Sequence, residues 1–292
     1  MERSHDKYRR LIEVCKTLPP TVTAVVHPCD ESSLRGAVDA AKIGLIAPLL
    51  VGPRARIEAI AQQFDIDIAG LPIVDAPHSE ASAEMAVQLV RQGKAEALMK
   101  GSLHTDELMA AVVKRETGLR TSRRVSHCFV MDVPSHAGTL IITDAAINIA
   151  PSLADKVDIV QNAIDLAHAL QFGEVRVAIL SAMETVNPKV PSTIEAAALC
   201  KMADRGQITG AIVDGPLALD NAISLESVAI KQIDSPVAGR ANVLIVPNLE
   251  SGNMLAKELT FVARAEAAGL VVGAKVPIML TTVPSRPTMV AI

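Results

Sequence analysis

Short apolar runs alternate with amphipathic helical segments along this chain, and that alternation limits its fold more than any other feature. The runs TVTAVVHP, LIAPLLVGP and ALMKG each end at turn or polar residues, and a segment with helical character follows each one. Strands buried on both faces read as continuous apolar runs, and parallel strands need crossover connections. The pattern therefore predicts an α/β fold built from parallel sheets with right-handed crossovers.

The composition fits such a fold and bears on how the chain divides. Half of the 292 residues are hydrophobic but only 2% are aromatic, so the core must consist mainly of Ala, Val, Ile and Leu. This length suits one large or two medium domains. We expect two lobes, with residues 1–133 and 269–292 in the first and residues 134–268 in the second.

Charge and hydropathy exclude several classes of protein. The net charge is −4 and there is no Trp, whereas nucleic-acid binding calls for a basic surface and stacking aromatics. No apolar run reaches the length of a membrane span, and the charged N-terminal segment has no signal-peptide core. The Cys residues are widely spaced, which disfavours a zinc or disulfide framework. We expect a cytoplasmic protein that binds neither nucleic acid nor membrane.

Polar side chains follow two of the strand-like runs. The run 211–213 stops at Asp214 and is followed by Asp220, and the run 241–246 stops at Pro247. The polar residues after the second run are Asn248, Glu250 and Asn253. Ligands bind at the carboxyl ends of strands in open α/β sheets, so both clusters are candidates for a site. Two neighbouring carboxylates can divide into acid and base roles, although Asp214 could instead cap a turn and Asp220 could be solvated.

Two basic stretches are candidates for phosphate binding. Lys100 and Gly101 lie at a strand-to-helix junction, where free N–H groups suit a phosphate. The alternative is an ordinary turn with a surface lysine, since the stretch is not a GxxxxGK[ST] loop. Arg120, Arg123 and Arg124 form a basic cluster that could bind phosphate in a bidentate manner or could be a solvated loop.

One further pair of polar residues is a candidate for the site. Asp144 and Asn148 occur in ITDAAINIAPS, where they could contribute to a site or cap a helix. The isolated His104, His127 and His136 suggest structural roles.

Four stretches together resemble one enzyme family. DGPLALDNAIS, DSPVAGRANVLIVPNLESGN, LMKGSLHTDEL and LRTSRRVSH are similar to segments of the phosphate acetyltransferase and phosphate butyryltransferase family, and the resemblance extends over most of the chain after about Thr21. It implies transfer of an acetyl or butyryl group between coenzyme A and inorganic phosphate. It also implies two α/β lobes with a central cleft, in a fold like that of isocitrate and isopropylmalate dehydrogenases. A homodimer with no permanent cofactor and no metal is expected.

The resemblance also implies roles for particular residues. Lys100 and Gly101 would bind coenzyme A or the acyl phosphate, and Asp144 would face the cleft. The other residues assigned to substrate binding are Arg120, Arg124, Asn148, Glu250 and Asn253. Asp220 and Asp214 are the carboxylates left for proton transfer.

The C-terminal tail departs from the family pattern. The family has a Ser-Arg pair for the phosphate after a strand matching VPIMLT, and a carboxylate shortly afterwards as the base. Here Thr282 and Val283 align with the pair, whereas Ser285 and Arg286 are displaced by three residues. No Asp or Glu follows Glu266, so the C-terminal base is missing. Impaired turnover is therefore expected, with Ser285 and Arg286 as the catalytic pair that remains.

Several alternatives stay open at this point. The tail Thr-Thr-Val-Pro-Ser-Arg is what a codon run for Thr-Ser-Arg-Ala-Glu-Ser can encode after loss of one base, so a frameshift is one hypothesis. The chain could also be a non-catalytic protein that binds coenzyme A or phosphate, or a remnant of a larger enzyme. A metal-dependent dehydrogenase is disfavoured by the lack of a suitable Asp cluster. The residues leave the acyl chain length open, because one methylene changes discrimination by only about 1–3 kcal/mol.

Overall fold

The computed structural model describes residues 6–280, which pack into two compact units. The inserted unit consists of Arg124–Glu266, and the terminal unit consists of the described residues 6–123 and 267–280. Each unit contains β-strands and flanking helices, so the predicted α/β class is confirmed. The lobe boundaries expected at Pro134 and Gly269 stay a prediction about domains.

Strands and helices alternate along the chain as the apolar runs predict. The strands are β1 (Thr21–Val26), β2 (Ile46–Gly52), β3 (Ile73–Asp75), β4 (Ala97–Lys100), β5 (Ser126–Asp132), β6 (Leu140–Thr143), β7 (Arg176–Leu180), β8 (Ile212–Leu217), β9 (Val243–Ile245), β10 (Glu266–Val272) and β11 (Ile278–Leu280). The helices are α1 (Asp6–Cys15), α2 (Glu31–Lys42), α3 (Arg54–Gln63), α4 (Ser79–Arg91), α5 (Thr105–Val112), α6 (Leu153–Ala169), α7 (Pro191–Asp204), α8 (Leu219–Ile223), α9 (Leu225–Lys231) and α10 (Leu249–Phe261). No helix among these described residues is long and apolar enough to cross a membrane.

The terminal unit contains a largely parallel set of strands. Its strand order is β3-β2-β1-β4-β11-β10, and only β10 runs antiparallel to its neighbour β11. The core against these strands is aliphatic, with Leu34, Leu50 and Ile57 completely buried. Because Val26 pairs with Lys100 and Met279 pairs with Met99, the carboxyl ends of β1, β4 and β11 lie at the same edge.

The inserted unit combines one hairpin with parallel strands. Its strand order is β5-β6-β9-β7-β8. β5 and β6 are antiparallel, with Cys128 opposite Thr143, so FVMDVP and GTLIITDAA form a hairpin. The remaining pairs are parallel, which brings the carboxyl ends of β6, β7, β8 and β9 to one edge.

The strand that was expected over 211–213 continues further than predicted. β8 extends to Leu217 and includes Asp214, so the expectation that the strand stops at Asp214 is wrong. The pairing of β8 with β7 shifts register between Ala178 and Leu180, which keeps the strand in the sheet. Gly215 makes this possible, because a Cβ there would lie 2.7 Å from the Ile179 carbonyl oxygen.

Candidate functional site

In the terminal unit, Lys100 ends β4 at the carboxyl edge of the sheet. Burial lowers the pKa of Lys100, while the carboxylates of Asp30 and Glu107 oppose this shift. The next residue, Gly101, is buried, and a Cβ there would lie 2.4 Å from the Val26 carbonyl oxygen. Only glycine therefore allows β4 to turn against β1, and the turn holds the lysine at this edge.

The residues after Lys100 are anchored to the end of β1. The carbonyl oxygen of His27, which is 4% exposed, accepts hydrogen bonds from Ser102 N at 2.9 Å and from Cys29 N at 2.8 Å. Glu107, in the first turn of α5, accepts from the His104 N–H and from Ser79 Oγ, each at 2.7 Å. The hydrogen bond from Ser79 is the main reason that the pKa of Glu107 is lowered. The α5 N-terminus is thus fixed beside a half-buried lysine, which is a setting that suits a phosphoryl group.

The predicted basic cluster is divided between the two units. Arg120 belongs to the terminal unit, where its backbone bridges Ala274 and its side chain is exposed. Arg124 is the first residue of the inserted unit, and both its side chain and its backbone make hydrogen bonds. Its guanidinium donates from Nε to Asn148 Oδ1 at 2.6 Å and pairs with Asp155 Oδ1 at 3.1 Å.

Helix α6 also holds the backbone of Arg124. Asp158 Oδ2 accepts from Arg124 N at 2.8 Å, and Asn162 Nδ2 donates to the Arg124 carbonyl oxygen at 2.8 Å. With Asp155, these residues occur at spacings of three and four, so they share one face of the helix. Ser152 caps that helix by accepting a hydrogen bond from Asp155 N, and this cap marks where the helix begins.

Asp144 and Asn148 form a buried, hydrogen-bonded pair after β6. Asp144 is 3% exposed and accepts from the N–H groups of Ala146 and Ile147 at 3.0 Å and of Asn148 at 3.2 Å. The Asn148 side chain adds a 2.5 Å bond to Asp144 Oδ2. Burial raises the pKa of Asp144, although these hydrogen bonds oppose it. The helix-cap alternative does not apply, because α6 is capped by Ser152.

The start of α10 packs against the loop that contains this hydrogen-bonded pair. Asn253 Nδ2 donates to the Ala145 carbonyl oxygen at 3.3 Å, and a Cβ on Gly252 would lie 2.9 Å from the Asp144 carbonyl oxygen. Asn248 caps α10 by accepting from Ser251 N at 3.0 Å. Glu250 is exposed in the first turn. Arg124, Asp144, Asn148 and Asn253 therefore form one connected cluster in the inserted unit.

Asp214 and Asp220 lie in different surroundings. Asp214 accepts from Gly215 N at 2.8 Å and from the Ser235 hydroxyl, and it thereby ties β8 to the loop before β9. Asp220 lies in the first turn of α8, with its side chain 51% exposed and 3.4 Å from Lys231 Nζ. Ser285 and Arg286, assigned to catalysis from the sequence, lie outside the described residues.

Glu184, Asn221 and Lys231 are polar residues that sequence reasoning missed. Glu184 follows β7 and accepts hydrogen bonds from Asn221 Nδ2 and, at 3.0 Å, from Lys231 Nζ. The available signal was the polar stretch ETVNPK directly after an apolar run, which is the same signal that identified Asp220. Among residues 6–280, no group of three His, Cys, Asp or Glu side chains is arranged to hold a metal ion.

Comparison with known proteins agrees with this fold and these motifs. The profile of the family described as phosphate acetyl/butaryl transferase matches residues 80–286. A phosphate acetyltransferase of Rhizobium meliloti is 63% identical over 276 residues, covering 94% of this chain and 87% of that protein. A phosphate butyryltransferase of Clostridium acetobutylicum is 39% identical, covering 94% of this chain and 91% of that protein.

A solved structure of a related enzyme has a similar fold. The crystal structure of a branched-chain phosphotransacylase from Enterococcus faecalis superposes with a TM-score of 0.79 at 33% identity. The match covers 91% of this chain and 94% of that chain. The chain belongs to the phosphate acetyl/butaryl transferase family.

Proposed function

We propose that this protein transfers an acetyl or butyryl group between coenzyme A and inorganic phosphate, with an acyl phosphate as the second acyl carrier. The observation that carries this proposal is the 63% identity, over 94% of the chain, to a protein named phosphate acetyltransferase. Coenzyme A and phosphate are substrates here, and no permanently bound cofactor is required. The chemistry needs a deprotonated thiol, an aligned acyl carbon and cationic or N–H donors for the departing phosphate.

Lys100 is the proposed phosphate ligand of the terminal unit. It is half-buried at the carboxyl edge of the sheet, beside the N-terminus of α5. Strand β11 ends at Leu280 at this same edge, because Met279 pairs with Met99. Leu280, the last described residue, therefore lies at the same edge as Lys100. Ser285 and Arg286, which lie outside the described residues, are proposed as phosphate ligands from the resemblance to the family.

The Arg124 cluster is the proposed substrate-binding element of the inserted unit. Arg124 is half-exposed, and its hydrogen bond to Asn148 and ion pair with Asp155 fix the plane of the guanidinium. Among the described residues its Nη2 edge makes no hydrogen bond, so it is available to a phosphoryl oxygen. A fixed planar fork is the geometry that favours phosphate.

We further propose a cytoplasmic homodimer. Helix α10 carries Met254, Phe261 and, directly after it, Val262, which are 68%, 68% and 76% exposed. Ile149, whose carbonyl oxygen accepts from Leu249 N, adds a 74% exposed side chain near the start of the same helix. An apolar surface of this kind supports pairing with a second copy.

The direct test is an assay of acyl phosphate formation from acetyl-CoA and butyryl-CoA with phosphate. We expect product with at least one of the two substrates. Calorimetry with coenzyme A serves as the companion measurement. Binding without any product would support a non-catalytic protein instead, and neither binding nor product would contradict the proposed function altogether.

A further inference from the structure

Among residues 6–280, hydrogen bonds to the Glu184 carboxylate after β7 reach only one of its two oxygens. Asn221 Nδ2 and Lys231 Nζ both donate to Oε1. Within the part of the chain that the structure describes, Oε2 accepts no hydrogen bond. The side chain is 26% exposed, so Oε2 is accessible to a ligand although the carboxylate is fixed.

Asn221 has an unpartnered acceptor beside this carboxylate. The residue is completely buried, its carbonyl oxygen accepts from Gly239 N at 2.7 Å, and its amide donates to Glu184. Its Oδ1 has no hydrogen-bond partner in the described structure. A buried acceptor without a partner is unfavourable for stability. Glu184 Oε2 is therefore the acceptor of this cluster that a hydrogen-donating ligand can reach, and the buried Asn221 holds the carboxylate in place.

Lys231 links this cluster to Asp220. Its Nζ lies 3.0 Å from Glu184 Oε1 and 3.4 Å from Asp220 Oδ2. The hydrogen bond with Glu184 is the main reason that the pKa of Lys231 is raised, so the ammonium stays charged at neutral pH. Of the two carboxylates, Glu184 is the less exposed, at 26% against 51%, and the one anchored by a buried amide.

We propose that Glu184 is the general base for the thiol of coenzyme A, with Asn221 and Lys231 as positioning residues. This inference rests on the proposed function. Oε2 takes the thiol proton, and the electron pair left on sulfur attacks the acyl carbon of the acyl phosphate. The bond from that carbon to the phosphate oxygen breaks, and phosphate leaves with its electrons. In the opposite direction Glu184 returns the proton to the departing thiolate.

This assignment supplies the carboxylate that the C-terminal tail lacks. It replaces the sequence-based expectation that Asp220 is the base. General-base catalysis contributes roughly 10²–10⁴ in rate, which sets the size of the expected effect.

The test measures steady-state kinetics of acyl phosphate plus coenzyme A for Glu184→Gln, Glu184→Asp and Asp220→Asn. Glu226→Gln, which removes an exposed carboxylate on α9, is the matched control. At pH 7 we expect Glu184→Gln to lower kcat by roughly 10²–10⁴ with a nearly unchanged KM for coenzyme A. Glu184→Asp should be intermediate, and Asp220→Asn should lose less than Glu184→Gln.

The pH dependence separates a base from a structural role. The free thiol has a pKa of about 8.5, so at pH 9–10 the thiolate is already present without a base. We expect the deficit of Glu184→Gln to shrink steeply over that range, while thermal unfolding shows that the variant is folded. A deficit that is constant with pH, or one confined to KM for coenzyme A, would overturn the assignment.

The outcomes also separate this inference from the proposed function. If the unaltered chain forms and consumes no acyl phosphate, both fail. If it is active and Glu184→Gln is equally active, only the assignment of Glu184 fails. Asn221→Ala gives a second measurement: a lowered kcat that recovers at high pH supports its positioning role, and an unchanged kcat contradicts it.

Discussion

The side-chain amide of Asn148 donates to the carboxylate of Asp144 across 2.5 Å, and both residues are almost completely buried. The same asparagine accepts from the guanidinium of Arg124 at 2.6 Å. The half-exposed arginine is thus connected to a buried carboxylate through a single side chain. Rigid support of this kind is what a group that binds substrate requires.

Asp144→Asn should destabilise the inserted unit. An amide at this position leaves at least two of the N–H donors around Asp144 without an acceptor, at about 1–3 kcal/mol each. We expect a loss of about 2–4 kcal/mol in the free energy of unfolding, measured with urea. Asp204→Asn, at an exposed ion pair on α7, is the control and should change stability by less than about 0.5 kcal/mol. Equal stability of the two variants would contradict a stabilising role for the hydrogen bonds that Asp144 accepts.

Gly101→Ala should disturb the junction between β4 and α5. The new Cβ would lie 2.4 Å from one backbone oxygen and 2.6 Å from the next, and neither backbone atom can move easily. We expect a loss of about 1–3 kcal/mol in thermal or urea unfolding. Gly138→Ala is the matched control, because its nearest neighbour would be a histidine ring atom at 3.9 Å. Similar stability of both variants would show that the turn can adjust.

Lys100→Met should weaken phosphate binding. Loss of a charge-assisted hydrogen bond corresponds to about 1.5–3 kcal/mol, or roughly a 10–100-fold rise in KM for phosphate. Lys94→Met, on the exposed side of the same unit, should leave KM unchanged. The measurement is the rate of acyl phosphate formation as a function of phosphate concentration. An unchanged KM for Lys100→Met would contradict the assignment of Lys100 as a phosphate ligand.

The pH dependence of phosphate binding gives a second check on Lys100. Because burial lowers its pKa, the ammonium loses its proton at a lower pH than the ordinary 10.5. We therefore expect KM for phosphate to begin rising on the alkaline side below that pH. In Lys100→Arg the guanidinium keeps its charge, so this alkaline rise should disappear. A rise of the same size in Lys100→Arg would contradict the explanation.

Rebuilding the tail should raise turnover. The rebuilt chain carries Thr282→Ser, Val283→Arg, Pro284→Ala, Ser285→Glu and Arg286→Ser, which restores the family's Ser-Arg pair and carboxylate. Loss of a preorganised donor to a developing charge typically lowers kcat by roughly 10²–10³, so a gain of that order is expected. If Arg286→Ala abolishes activity in the original chain and the rebuilt chain is no faster, the displaced pair is the working one.

Polar substitution of the exposed apolar surface at α10 should disrupt the dimer. We expect the unaltered chain to show a mass near twice 30.8 kDa in light scattering, and Phe261→Ser with Val262→Ser to shift it toward one chain. Val186→Ser, at an exposed valine after β7, is the control. A dimer that survives the double substitution would place the interface elsewhere.

Local features of the fold were predictable from the sequence. The start of α6 was predictable because its cap, Ser152, acts within three residues of the helix start. The end of β8 was mispredicted, because Asp214 stays in the sheet through pairing with Ala178, which is distant in sequence. The pairing of β5 with β6 could not be decided from the sequence, since strand pairing is not encoded locally.

The sequence by itself determined the α/β class, the family and most of the candidate polar residues, because apolar periodicity, turn residues and motif stretches are local properties. Only the tertiary structure decided which of those side chains meet. Glu184 contacts Asn221 and Lys231, which are 37 and 47 residues away, and Asp214 contacts Ser235, which is 21 residues away. Such contacts exist because parallel strand pairing brings distant strand ends to one edge, and no local pattern specifies that pairing.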